Sequence, residues 1–140
     1  MTKTRHRIVA TLIGLLFLYA GCMKLLDPAA FAVDILNYRI LPWTGAVLLA
    51  LYLPWLEVLC GAALIFRRAY RGALHITAFL FALFLAAYGS TRPRGLDIDC
   101  GCFGHGMHRG YWSTLAVDVL LLAILVWLIK SDVRPPVQKL

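Results

Sequence analysis

Four separate stretches of this 140-residue chain are apolar over about the length a helix needs to cross a bilayer: residues 8–26, 44–66, 74–88 and 112–129, the third being the shortest. A hydrocarbon core of ~30 Å takes ~20 helical residues. Within lipid the backbone must satisfy its own hydrogen bonds, so each stretch has to be a helix. Composition agrees: 61% of residues are hydrophobic and 15% charged, against roughly 45–50% and about 25% in a soluble domain. The expected fold is all-α, a single domain over residues 1–140 built as a four-transmembrane-helix bundle. The lipid bilayer is its first partner.

The formal net charge of +7 invites a nucleic-acid reading, but the placement of the charges argues for topology instead. Lys3, Arg5 and Arg7 precede the first stretch. Arg67, Arg68 and Arg71 fill the turn between the second and third, and Lys130, Arg134 and Lys139 follow the fourth. Nine of the 14 basic residues thus fall in three segments that four crossings put on one side. Basic loops stay in the cytoplasm. Both termini are therefore expected there, in a bacterial inner membrane, with no nucleic-acid partner. The remaining two loops balance Asp27, Asp34, Asp97 and Asp99 against Lys24, Arg39, Arg92, Arg94 and Arg109. They are expected on the periplasmic face.

The first stretch ends Leu18-Tyr19-Ala20-Gly21-Cys22, which has the look of a lipoprotein signal with Cys22 as lipid acceptor. Tyr19 is too bulky for the position where a small aliphatic residue is needed, and the apolar run continues to Leu26. The segment is expected to be kept as a first crossing. Beyond it, Asp27 and Pro28 form a helix start, a capping side chain followed by proline at the first helical position. Phe31, Ile35 and Tyr38 then recur at helical spacing until Pro42. A short amphipathic helix on the outer face is expected here. It can cover the bundle or form one wall of a site.

Ionisable residues inside a membrane are costly and mark functional candidates. Glu57 falls near the middle of the second crossing, one turn after Pro54, which removes a backbone donor. At that depth the carboxyl either stays neutral or pairs with a cation, and Lys24 is a candidate partner. Asp118 lies about two turns into the fourth crossing. Each can fix packing through an interhelical hydrogen bond, or serve a proton or a quinone, the latter being the one organic cofactor these positions suggest. Cys22 and Cys60 lie within crossings, where a lone cysteine is ordinarily a small packing residue.

The chemistry-bearing motif is Cys100-Gly101-Cys102, in the polar loop before the fourth crossing. A disulfide between these residues closes a small ring that needs the backbone to bend, which Gly101 allows. A bridge spanning one residue constrains little chain, so its stabilising effect is small. Strained, exposed disulfides tend to be labile and oxidising. Cys100 and Cys102 are therefore candidate catalytic residues for thiol–disulfide exchange with a periplasmic thiol or disulfide protein. A metal reading stands beside it. Cys100, Cys102, His105 and His108 put two thiols and two imidazoles within nine positions, a donor set that suits copper(I) or zinc.

The string Cys100-Gly-Cys-Phe-Gly104, with Gly21-x-x-Lys24 closing the first crossing and Leu53-Pro-Trp-Leu-Glu57 in the second, resembles the MauE branch of the DoxX-like membrane proteins. That resemblance implies a four-helix membrane bundle with a redox-associated role. It also implies a link to maturation of methylamine dehydrogenase, a disulfide-rich periplasmic enzyme. For Cys100 and Cys102 it implies thiol–disulfide chemistry, and it is silent on His105, Met107 and His108. Related chains carry an arginine beside the position of Asp118, where this chain has Val117. Three functional readings follow: a membrane thiol–disulfide redox protein, a non-catalytic small subunit or assembly factor of a membrane complex, and periplasmic copper or zinc handling.

Overall fold

A computed structural model of the protein describes residues 3–96 and 110–132. Five helices follow one another: α1 (Lys3–Leu26), α2 (Pro28–Asn37), α3 (Trp43–Phe66), α4 (Tyr70–Gly89) and α5 (Tyr111–Asp132). All but α2 are long and apolar enough to span a membrane. Their outward faces are apolar as well. Leu12, Tyr52, Trp55, Leu59 and Phe79 are each more than half exposed. A continuous apolar surface of this kind belongs against lipid, and the chain is a multi-pass membrane protein.

The helices outrun the apolar stretches that mark them. α1 begins five residues early with Lys3, Arg5 and Arg7, and α4 four residues early with Tyr70 and Arg71. Long basic side chains can reach out of the apolar layer while their stems remain in it, so they do not stop a helix at its boundary. Arg71 also has a partner there. Its Nε donates to Asp132 Oδ2 at 2.9 Å and its Nη2 to the Asp132 carbonyl at 3.1 Å, joining the start of α4 to the end of α5. The His6 and Trp127 rings meet nearby, with centroids 4.7 Å apart. The start of α1, the α3–α4 turn and the end of α5 therefore share one end of the bundle, and α2 lies at the other.

α1 and α3 form the tightest pair, antiparallel and sharing a stripe of small residues. A Cβ added at Gly14 would stand 2.8 Å from the Gly61 carbonyl oxygen, and one added at Gly61 would stand 2.6 Å from that of Gly14. Further along, a Cβ on Gly21 would meet the Pro54 carbonyl oxygen at 2.9 Å. Small residues permit this approach of backbones, and packing rather than a hydrophobic drive holds helices together in lipid.

This register offsets the two helices. Gly21 lies against Pro54 and Val58 of α3, α1 ends five residues later, and the Lys24 side chain reaches back along the pair to Glu57. The first turns of α3 therefore run on beyond the end of α1, at about 1.5 Å per residue. α2, about 15 Å long by the same measure, folds back and packs against α3 there. Its start is set as the sequence indicates: Asp27 Oδ1 accepts from the Ala30 amide at 3.0 Å, and Pro28 takes the first helical position. α5 packs chiefly on α4 and is the least covered span.

The Gly14–Gly61 contact leaves no room for a methyl group, and overpacking of this kind costs ~1–3 kcal/mol. Gly61→Ala should lower the thermal unfolding midpoint in detergent micelles. Gly72→Ala, whose added Cβ meets nothing within 4 Å, should leave the midpoint unchanged.

Candidate functional site

The offset between α1 and α3 carries Lys24 into the membrane. The sequence puts Lys24 at the outer end of its crossing, but Glu57 lies 14 residues from the start of α3 and nine from its end. Both side chains are therefore near mid-bundle and buried, Lys24 at 5% exposure and Glu57 at 2%. The Lys24 ammonium donates to both carboxylate oxygens of Glu57, at 2.7 Å to Oε1 and 3.0 Å to Oε2. Away from water, neither charge is tolerable without the other.

Two rings complete the surroundings of the ammonium. Its Nζ lies 4.9 Å from the ring centroid of Phe31 on α2 and 4.9 Å from that of Phe84 on α4. Ring faces attract a desolvated cation. A single side chain thus ties α1 to α3 by charge and to α2 and α4 by aromatic contact.

Lys24 also borders a cavity of about 160 Å³. Phe31, Ile35 and Tyr38 of α2, the residues that mark its apolar stripe in the sequence, form one wall together with Asp34, with Leu53 of α3 and Phe84 and Ala87 of α4 opposite. The rim is open between Ile40 and Leu83, each about half exposed. A smaller cavity of about 20 Å³ lies on the other side of the pair, against Phe17 and Phe81. Among the described residues, Lys24 and Glu57 are the polar groups on its wall.

The α4–α5 connection is fastened over this region. Arg94 Nη1 donates to the Tyr38 carbonyl at 2.7 Å and Nη2 to the Arg39 carbonyl at 3.0 Å. Arg39 holds a left-handed backbone, φ 52°, as the chain turns from α2 toward α3. The Arg92 guanidinium lies over the rings of Tyr111 and Trp112, at 5.2 and 5.1 Å. Tyr111 stacks on Tyr88 with centroids 5.1 Å apart.

The other candidates fall as follows. Asp118 is buried on α5, bonds to neither Lys24 nor Glu57, and its Oδ2 has no hydrogen-bond partner among the described residues. Cys60 is buried one turn beyond Glu57, and Cys22 is exposed on α1. Cys100, Cys102, His105 and His108 lie outside the described residues. Among the described residues no cluster of three or more His, Cys, Asp or Glu side chains could hold a metal ion. Phe84 and Arg94 are site residues that sequence reasoning does not single out. Phe84 is one aromatic in an apolar run, and Arg94 is one basic residue in a mixed loop.

The family model for methylamine utilisation protein MauE matches residues 3–131 of the chain. Among curated proteins, methylamine utilization protein MauE of Paracoccus denitrificans is 31% identical over 114 residues, which is 80% of this chain and 61% of that protein. The protein of the same name from Methylophilus methylotrophus is 35% identical over 91 residues, 64% of this chain and 48% of its own length. That from Paracoccus versutus is 31% identical over 121 residues, 85% and 65% respectively. The chain thus spans about half to two-thirds of the length of these relatives. No solved structure matches it significantly.

Removing one member of a buried ion pair strands the other, at a cost of about 3–5 kcal/mol. Lys24→Met should therefore lower stability sharply, and Glu57→Leu likewise. The double variant should recover much of the loss, since two apolar side chains replace two charges. Chemical unfolding of the four proteins in nanodiscs gives the coupling from a double-mutant cycle.

Proposed function

The chain belongs to the MauE family, and on that premise we propose that it is a thiol–disulfide redox protein of a bacterial inner membrane, with Cys100 and Cys102 as its reactive pair. The observation that carries the proposal is the Cys100-Gly101-Cys102 string itself, in a chain of this family. Four apolar spans leave few other groups capable of reversible two-electron chemistry.

In the oxidising direction, a thiolate of the partner attacks the Cys100–Cys102 disulfide and forms a mixed disulfide. A second partner thiol resolves it. The partner gains one disulfide, and the pair is left as a dithiol holding two electrons and two protons. A second carrier must then remove them. The reducing direction runs through the same intermediate. Relatives named for methylamine utilisation suggest the partner: a periplasmic enzyme of that system whose maturation requires its cysteines to be paired, such as methylamine dehydrogenase.

The described flanks support this placement. Arg94, six residues before Cys100, is bonded to the α2–α3 turn, and Arg92 is stacked on the first residues of α5. Both anchor at the end of the bundle opposite Arg67, Arg68 and Arg71. With that arginine-rich turn in the cytoplasm, the motif segment is attached on the periplasmic side, where disulfides form and persist. The little-covered α5 favours a second reading, a small subunit packed by this helix in a larger membrane complex.

Two measurements test the proposal. In a Cys22→Ala/Cys60→Ala background, a membrane-impermeant maleimide should label the reduced pair in intact spheroplasts. Labelling confined to inverted vesicles would reverse the topology. In an exchange assay with a model dithiol peptide, Cys100→Ser and Cys102→Ser should each abolish turnover, whereas His105→Ala/His108→Ala should retain most of it. Loss of bound zinc or copper in the histidine variant, with exchange activity absent throughout, would favour the metal reading.

A further inference from the structure

The cavity beside Lys24 has a use that thiol chemistry does not supply. An ammonium carries three N–H donors. Two of Lys24's go to Glu57. Among the described residues the third faces the rings of Phe31 and Phe84, and both of these residues line the cavity. A buried charged donor whose third N–H has no oxygen partner among the described residues, on the wall of a mostly apolar space that Asp34 and Tyr38 also line, is a fixed point for a hydrogen-bond acceptor.

Size and depth restrict the occupant. An apolar cavity of about 150 Å³ holds one benzene ring, and this one is about 160 Å³. Its open rim at Ile40 and Leu83 leads to the lipid-facing surface, so an apolar tail can leave by that side. The donor lies near mid-bundle, level with Glu57. The ester carbonyls and headgroup of a phospholipid belong near the bilayer surface, whereas a ring that is apolar apart from its carbonyl oxygens can reach this depth.

We propose that the cavity bounded by Lys24, Phe31, Leu53, Phe84 and Ala87 binds a lipid-soluble ring carbonyl compound of the quinone class. One carbonyl oxygen accepts from Lys24, the ring lies between α2 and α4, and the tail extends into the bilayer. Glu57 acts as a positioning residue, holding the ammonium at the cavity wall. The site is a property of the described helices and stands whether or not Cys100 and Cys102 exchange electrons.

The test is equilibrium binding of decylubiquinone to the full chain in quinone-free nanodiscs. Saturable binding at one molecule per chain is expected, with the infrared stretch of one ring carbonyl shifted down by the ammonium. Ala87→Phe, which fills the cavity, should weaken binding at least tenfold. Leu83→Trp, at the exposed rim and outside the core, should also weaken it and guards against a folding defect in the first variant. Lys24→Met/Glu57→Leu should abolish the shifted carbonyl band. The proposal is overturned by absence of saturable binding or by affinity unchanged in both cavity variants.

Discussion

The Lys24 ammonium is the point on which the arrangement of this bundle depends. A charge at that depth is intolerable unless neutralised, so α1 and α3 must take the register that brings Glu57 to it. That register leaves the start of α3 uncovered by α1 and makes room for α2. Phe31 then seats α2 against the cation, and Phe84 does the same for α4. Close approach of Gly14 and Gly61 allows the helices to meet, but small residues at spacings of three or four can slide by a turn. The ion pair cannot, because a slip of one turn separates the charges by about 5.4 Å in a medium that does not screen them. Polar residues that fix register at some cost in stability are known from other helical assemblies.

Much of this was legible in the chain. The four spans, the helix start at Asp27-Pro28 and the apolar stripe of Phe31, Ile35 and Tyr38 follow from length, capping chemistry and period. Glu57 stood out because a carboxylate within an apolar run has so few explanations. Less legible was the depth of Lys24. Counted along α1 it sits at the edge, and only the register with α3 moves it inward. The cation–π contacts were hidden for the same reason, since one phenylalanine among many apolar residues carries no mark of its neighbour. Arg94 looked like a loop charge. Its guanidinium meets two backbone carbonyls left open where the chain turns after α2, and no pattern in the sequence names such carbonyls.

The ion pair and the cysteine pair bear on function in different ways. Lys24 and Glu57 are held among four helices and border an apolar cavity, a rigid setting suited to holding a small molecule. Cys100 and Cys102 belong to a segment whose flanks, Arg92 and Arg94 on one side and Tyr111 on the other, are fastened at the α2 end of the bundle. If both act as proposed, a periplasmic thiol partner and a membrane-soluble carbonyl compound meet the protein at the same end, one from water and one from lipid. Asp118 has no part in this scheme; it is buried on α5 without a hydrogen bond to Oδ2 among the described residues.

The central claim, that Cys100 and Cys102 form a reversible redox pair, is tested most directly by titrating the purified protein against glutathione buffers of graded potential. Trypsin cuts after Arg94 and Arg109 and releases both cysteines on one peptide, free of Cys22 and Cys60. After trapping free thiols, mass spectrometry reads its oxidation state. The account predicts a metal-free protein whose peptide passes reversibly between dithiol and internal disulfide, along a two-electron curve in which about 30 mV changes the ratio tenfold. A peptide that stays reduced at every potential, in protein carrying one equivalent of zinc or copper, would contradict it.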